Sequence, residues 1–318
     1  MTADSAATPA GLAVQVLLGR ADDLRAELVV EVRLPPEAGA KPTFEAAVSG
    51  PESIRSTTLP VRLPVRTVGV RETADGRLLL GRVVLTEPAY WTPDLPMQYR
   101  IAGRLVAADG HAFTIGAVVG LRRLGIRGQS LWLDGRRWVP RGVACAAPGN
   151  SDSVQQLEAV VQQGLVAVID LSTAAVESAD DAVWSWLAAA DRQGWPVMVR
   201  LAEATPAALV QQAIARLAGH AAVLAVVLAP GQTAVAPIAR PLAGTMLLAV
   251  EGPADQPPRV APEGVDFQIV RLRSPADLAA AWRRPAGVPA VACLTAGAAD
   301  RRACDRLQAD LAAWRQAG

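Results

Sequence analysis

The chain has 318 residues, of which 51% are apolar and 19% charged, a globular composition that excludes wholesale disorder and is long enough for two hydrophobic cores. Lysine and arginine together number 31 against 30 acidic residues, and Lys41 is the only lysine. A net charge of +1 gives no electrostatic case for nucleic acid or an anionic membrane as partner.

Up to about residue 143 short β-prone runs alternate with turn-rich breaks. The first twenty residues read as a loose arm. Extended runs follow at Glu27–Leu34, Arg77–Leu85, Gln98–Val106 and Ala112–Leu121, separated by Pro35-Pro36, Ala74-Asp75-Gly76 and Ala108-Asp109-Gly110. An Asp-Gly pair between two extended runs is a hairpin signal. Regularly spaced short strands with almost no helical period predict an immunoglobulin-like β-sandwich over residues 21–127.

Beyond that point the texture changes. Continuous apolar runs stand at Leu165–Leu171, Pro196–Leu201, Val223–Leu228, Thr245–Val250, Phe267–Leu272 and Pro289–Leu294, as a parallel sheet covered on both faces requires. Helical periodicity fills the gaps at Ser153–Gln163, Ala179–Gln193, Pro206–Ala218, Pro275–Arg283 and Asp300–Gln316. Counting Trp138–Ala144 as the first strand gives about seven strands. A full eightfold barrel takes roughly 250 residues, and about 175 follow residue 143. The expectation for residues 128–318 is therefore a reduced, incomplete (β/α) TIM-type barrel, with residues 128–143 as a hairpin leading into it.

Cys145, Cys293 and Cys304 form no CxxC pattern, and His111 and His220 are the only histidines. No metal, cofactor or disulfide framework is expected from them. The N-terminal stretch has no basic lead ahead of its apolar residues, and runs such as Ala221–Ala229 are too short to span a bilayer. These features predict a soluble protein, cytoplasmic by default.

Three stretches carry a resemblance. Trp91-Thr92-Pro93-Asp94-Leu95-Pro96-Met97-Gln98-Tyr99 is similar to W-[ST]-P-x-x-P-x-L-Y, and Gly120-Leu121-Arg122-Arg123-Leu124 to G-[FI]-R-x-[IV]. Leu131-Trp132-Leu133-Asp134-Gly135 through Arg141-Gly142-Val143 resembles f-x-L-N-G-k-p-x-x-l-R-G-V. In that order and spacing they resemble the family 2 glycoside hydrolases, the β-galactosidase, β-glucuronidase and β-mannosidase group. Fainter similarity continues at Asp191-Arg192-Gln193-Gly194, at His220 to Leu228, and at Arg240-Pro241.

The resemblance implies a sandwich followed by a barrel whose mouth carries two glutamates, the acid/base and the nucleophile of a retaining glycosidase. Here the acid/base position of the G-N-E motif falls on Gly231, and no glutamate follows Glu263. The arginine that the family has on strand two falls at Ile169, the glutamate ending strand three is Arg200, and Ala144-Cys145-Ala146-Ala147 replaces a polar pair. The implied catalytic pair is therefore not intact.

Asp170, Glu203 and Glu251 remain as substitute carboxylates near strand ends. They read either as a relocated acid and nucleophile or as solvated and helix-capping charges. His220 reads as a packing or capping residue and Cys145 as a small buried side chain. Trp132, Trp138, Trp184, Trp186, Trp195 and Trp282 read as core or edge residues, with sugar stacking as the other use. The expected function is a carbohydrate-binding or structural module. An active retaining glycosidase with relocated carboxylates stays open, as does a scaffold that binds protein through the sandwich with no carbohydrate role.

Overall fold

A computed structural model describes residues 12–39, 42–73, 76–149, 151–178, 182–252, 262–274, 277, 288–295 and 300–313. They group into two compact units, one running to Trp91 and adding Met97–Leu121, the other formed by Thr92–Pro96 and the chain from Arg122 onward.

The first unit contains β1 (Val14–Ala21), β2 (Arg25–Arg33), β3 (Thr43–Glu52), β4 (Val61–Pro64), β5 (Arg66–Thr73), β6 (Gly76–Thr86), β7 (Gln98–Val106) and β8 (Ala112–Val119). They form two antiparallel four-stranded sheets, β1-β2-β6-β5 and β4-β3-β7-β8. Strand β2 buries Ala26, Leu28, Val30 and Val32 and turns the residues between them outward, the period of two that a half-buried strand requires. These residues join Val48, Leu79, Val83, Leu85, Ile101, Leu105 and Ile115 in one sandwich core.

Residues 14–20, expected in the loose arm, instead pair with β2 from Val14↔Val32 to Ala21↔Ala26. Residues 1–11 of that arm, Asp75 and the helix expected over Pro275–Arg283 (Asp277 apart) lie outside the described residues.

The second unit begins with a small antiparallel sheet of β9 (Leu124–Arg127), β10 (Ser130–Leu133) and β11 (Arg136–Trp138). Asp134 and Gly135 make its turn, both with positive φ (48° and 74°), which is why an Asp-Gly pair stands there. Strand β9 had been expected in the sandwich but pairs with β10.

Seven parallel strands follow: β12 (Gly142–Cys145), β13 (Val166–Leu171), β14 (Val197–Leu201), β15 (Val223–Leu228), β16 (Leu247–Gly252), β17 (Phe267–Leu272) and β18 (Ala290–Leu294). Between and after them run α1 (Ser151–Gln162), α2 (Thr173–Glu177), α3 (Ala182–Gln193), α4 (Ala207–Leu217), α5 (Ala236–Ala239) and α6 (Arg301–Ala313). The barrel has the seven strands expected, without an eighth among the described residues, and it closes: β18 returns to β12 through Gly142↔Cys293 and Val143↔Leu294. The first barrel strand is Gly142–Cys145, because Pro140 ends the run that Trp138 begins.

The barrel interior is a packed core. Val166, Val168, Met198, Ala225, Val227, Leu247, Ala249, Phe267, Ile269, Val291 and Cys293 form one buried cluster, and Leu131, with the partly buried Leu124, Ile126 and Trp138, packs on it from the small sheet. Among the described residues no helix is long and apolar enough to cross a membrane.

Candidate functional site at the barrel mouth

Inward and outward residues alternate along barrel strands, so the residue two beyond each core position points into the C-terminal mouth. Beyond Val168, Met198, Ala249 and Ile269 stand Asp170, Arg200, Glu251 and Arg271. The mouth layer thus carries two guanidinium and two carboxylate groups. Beyond Val227 stands the fully buried Ala229.

These charges neutralise one another. Arg200 Nε donates to Glu251 Oε2, and its Nη1 lies 3.5 Å from Asp170 Oδ1. Arg271 Nη1 faces Glu251 Oε1 at 3.9 Å. Burial works to lower the Arg200 pKa, but the hydrogen bond and charge of Glu251, with those of Asp170, outweigh it and hold it above its ordinary value. Both oxygens of Glu251 thus face cations. Asp170 and Glu251, read from the sequence as near strand ends, are the next-to-last residues of β13 and β16. Arg271 was not singled out, although two residues from Ile269 in a strand its inward direction was readable.

Glu203 lies in the exposed turn after β14. A Cβ built on Gly231 would stand 3.8 Å from Glu203 Oε1, so this carboxylate borders the position at which the resemblance implies an acid/base. The segment after β15 forms a short 3-10 turn, Pro230–Val235, secured by the buried Gln232. Gln232 Oε1 accepts from Ala229 N at 3.0 Å and Nε2 donates to Ala202 O at 2.8 Å, tying the ends of β14 and β15 together. Among the described residues no group of three or more His, Cys, Asp or Glu side chains is placed to hold a metal ion.

At the other end of the strands the motif residues make a different set of contacts. Arg122, 3% exposed, donates through Nη1 to the carbonyls of His220 (2.6 Å), Ala221 (2.8 Å) and Val223, and through Nε to Thr245 Oγ1 (3.3 Å). Burial pushes its pKa down to about 10 while Asp191 supports its charge, so it stays a cation at neutral pH. His220 Nδ1 meets Asp191 Oδ2 at 2.8 Å, and Asp191 Oδ1 accepts from Ala222 N at 2.7 Å. Arg240 pairs with Asp266 at 2.5 Å, and Asp266 accepts from Leu248 N at 2.7 Å. Gly194 has φ +73°, and a Cβ there would fall 2.4 Å from Pro93 O, so only glycine fits against the Trp-Thr-Pro segment. Each contact secures the start of a strand or the turn before it.

No protein-family profile matches the chain, and no curated protein matches it. Solved structures do. The β-glucuronidase of Parabacteroides merdae superposes with a TM-score of 0.56 at 15% identity, over 84% of this chain and 36% of its own. The fold is that of the family 2 glycoside hydrolases. A β-galactosidase-like protein of Bacteroides fragilis, described as putative, gives 0.53 at 14% identity, covering 81% and 41%. A family 2 glycosyl hydrolase member of Bacteroides cellulosilyticus gives 0.54 at 12%, covering 81% and 37%. The chain spans well under half the length of each of these proteins. The residues Arg122, Asp191, His220 and Arg240, which carry the sequence resemblance, make their contacts at the N-terminal ends of the barrel strands.

Of the tryptophans, Trp184 and Trp186 are buried, and Trp132, Trp138 and Trp195 are half-buried. Trp184 is buried, donates to Ala175 O and Ser178 O, stacks on His220 at 6.1 Å and lies under Arg216 at 3.5 Å. Trp186 pairs with Trp195 at 6.1 Å, and Arg127 covers Trp132 at 4.7 Å. Trp282 lies outside the described residues.

Cys145, Cys293 and Cys304 are free and buried. Burial pushes Cys145 up to about 11 and Cys293 up to about 12, so the thiolate is scarce at neutral pH. We expect a thiol reagent at pH 8 to label the folded protein at least about a hundredfold more slowly than the unfolded chain. Rapid labelling of the native protein would show that the structure opens around at least one of these thiols.

Proposed function

We propose that this chain keeps a family 2 glycoside hydrolase scaffold without its reaction and acts as a carbohydrate-binding or structural module. The observation that carries the proposal is the mouth layer itself. A retaining glycosidase needs two carboxyl groups about 5 Å apart, free to act on the glycosidic bond. Here Gly231 stands at the acid/base position, and Glu251 and Asp170 are engaged by Arg200. Carbohydrate as a ligand is supported by the fold's relatives, whose names denote sugar hydrolases.

The one observation that favours retained hydrolysis is the closeness of Glu203 to position 231, and the test is built around it. A panel of aryl β-glycosides is expected to show no turnover above buffer, with Glu203→Gln and Glu251→Gln indistinguishable from the parent protein. Turnover abolished by either substitution would establish an active enzyme with relocated carboxylates. A thermal-shift screen over neutral and acidic sugars then separates a binding module, which gains stability with ligand, from a scaffold, which does not.

A further inference from the structure

Two sheet edges leave a notch in the sandwich. Strand β6 pairs with β2 from Leu78 to Thr86, but with β5 only as far as Arg82, where Arg66 starts that ladder. Just before Arg66 the chain crosses to the other sheet: Val65 N donates to Ala46 O at 2.8 Å, and Leu63 stands opposite the buried Val48. From Val83 to Thr86 the β6 edge therefore has no strand beside it among the described residues. Such an edge leaves backbone N–H and C=O groups unpaired. The side chains show the same gap, since Val61, on the face of β4 that Leu63 shares, is 46% exposed.

A cavity of about 480 Å³, within the size range of ligand pockets, occupies this notch and is lined by Leu63, Pro64, Arg66, Val68, Arg82 and Val84. Arg66 and Arg82 are directly opposite partners, so both guanidinium groups stand on the outer face of the sheet, an arrangement of like charges that destabilises it. Glu27 lies 2.5 Å from Arg82 Nε, while Arg66 makes no ion pair among the described residues. This corner is therefore one carboxylate short. The track beside β6 also fixes the direction of any added strand. A segment lying there reaches Arg66 and must end, because β5 occupies the track beyond. Run antiparallel to β6, it ends in a carboxylate at the two arginines. Run the other way, it would bring an ammonium against them.

We propose that the sandwich binds the carboxy-terminal segment of a partner protein as an added strand antiparallel to β6, with the terminal carboxylate held by Arg66 and Arg82. Side chains of such a strand alternate between faces, so apolar residues would meet Val84 on the outer face and Leu63 on the core side in turn. Backbone hydrogen bonds to the open edge supply attachment, and the alternate side chains with the captured carboxylate supply specificity. Arginine suits the second task, because its planar fork matches a carboxylate. The notch lies wholly within the first unit and needs nothing of the barrel mouth.

The test is an array of hexapeptides tethered by their amino ends and varied over apolar and β-branched residues at the final positions. It is probed with the full-length protein, and the best binders are titrated in solution. A set of sequences with a free terminal carboxylate should bind, and the same peptides ending in an amide should bind at least about tenfold more weakly. Arg66→Gln should weaken binding by a similar factor. Arg62→Gln, which faces outward from the other sheet, should leave it unchanged. Circular dichroism confirms the fold of each variant, and the amidated peptides test the parent protein whatever the variants do. An array with no binder at about 1 mM, amides that bind as tightly as acids, or binding indifferent to Arg66→Gln would each overturn the proposal. So would valerate competing as tightly as the peptides, which would make the notch a site for small organic acids.

Discussion

Replacing Arg122 by methionine is expected to lower the unfolding free energy by about 3–5 kcal/mol, the range seen when one partner of a buried charged network is removed. The side chain is 3% exposed and donates to three main-chain carbonyls at the entrance to β15 and to Thr245 before β16. Methionine fills a similar volume but gives no donor. The carbonyls of His220, Ala221 and Val223 would be left buried without Arg122, and each such group costs about 1–3 kcal/mol when no water replaces the donor. Asp191, which supports the Arg122 charge, would keep its bonds to His220 and Ala222 but lose the compensating cation.

Arg122→Lys should recover only part of the loss, because an ammonium offers three donors from one point where the guanidinium offers five in a plane. Urea denaturation of the three proteins gives the order parent, lysine, methionine. A methionine variant within about 0.5 kcal/mol of the parent, the scale of an ordinary surface change, would show that the Arg122 contacts contribute nothing net.

This buried arginine also marks where sequence reasoning worked. Arg122, Asp191, Gly194, His220 and Arg240 were quoted because they match a motif, and each meets a partner that explains its chemistry. Strands were legible wherever the period was clean: Val223–Leu228, Phe267–Leu272 and Gln98–Val106 have the ends that their composition indicates. Strand β1 was missed because Val-Gln-Val-Leu-Leu-Gly-Arg-Ala does not alternate, and its partner β2 fixes it.

Closure was not legible for a different reason. Whether seven strands meet depends on tilt and stagger summed around the ring, which no single segment encodes. The mouth was half legible. The glycine at 231, where the resemblance implies an acid/base, could be read by alignment, whereas the union of Asp170, Arg200, Glu251 and Arg271 required knowing that four separated strands bring one layer together. Carboxylates that look available one at a time turn out to be engaged by cations that the linear sequence places far away.

That engagement leads to the second large effect. Arg200→Met should destabilise the protein at neutral pH by about 1–3 kcal/mol, less than the full cost of breaking a buried pair because the mouth admits some solvent. With Arg200 gone, Asp170 loses its ion-pair partner and Glu251 keeps only Arg271, 3.9 Å from its nearer oxygen, and the layer changes from neutral to a net charge of −1. Adding Glu251→Leu removes the charge left without its partner and should return most of the stability, to within about 1 kcal/mol of the parent, since well-packed apolar groups replace buried ion pairs at little net cost. The coupling of the two sites distinguishes an electrostatic bridge across the mouth from simple side-chain packing, which would make the two losses add. Additive losses would show that the mouth is held by packing and that Glu251 is free for another role. In that event the proposal of lost hydrolysis would rest on Gly231 and on the lack of a glutamate after Glu263.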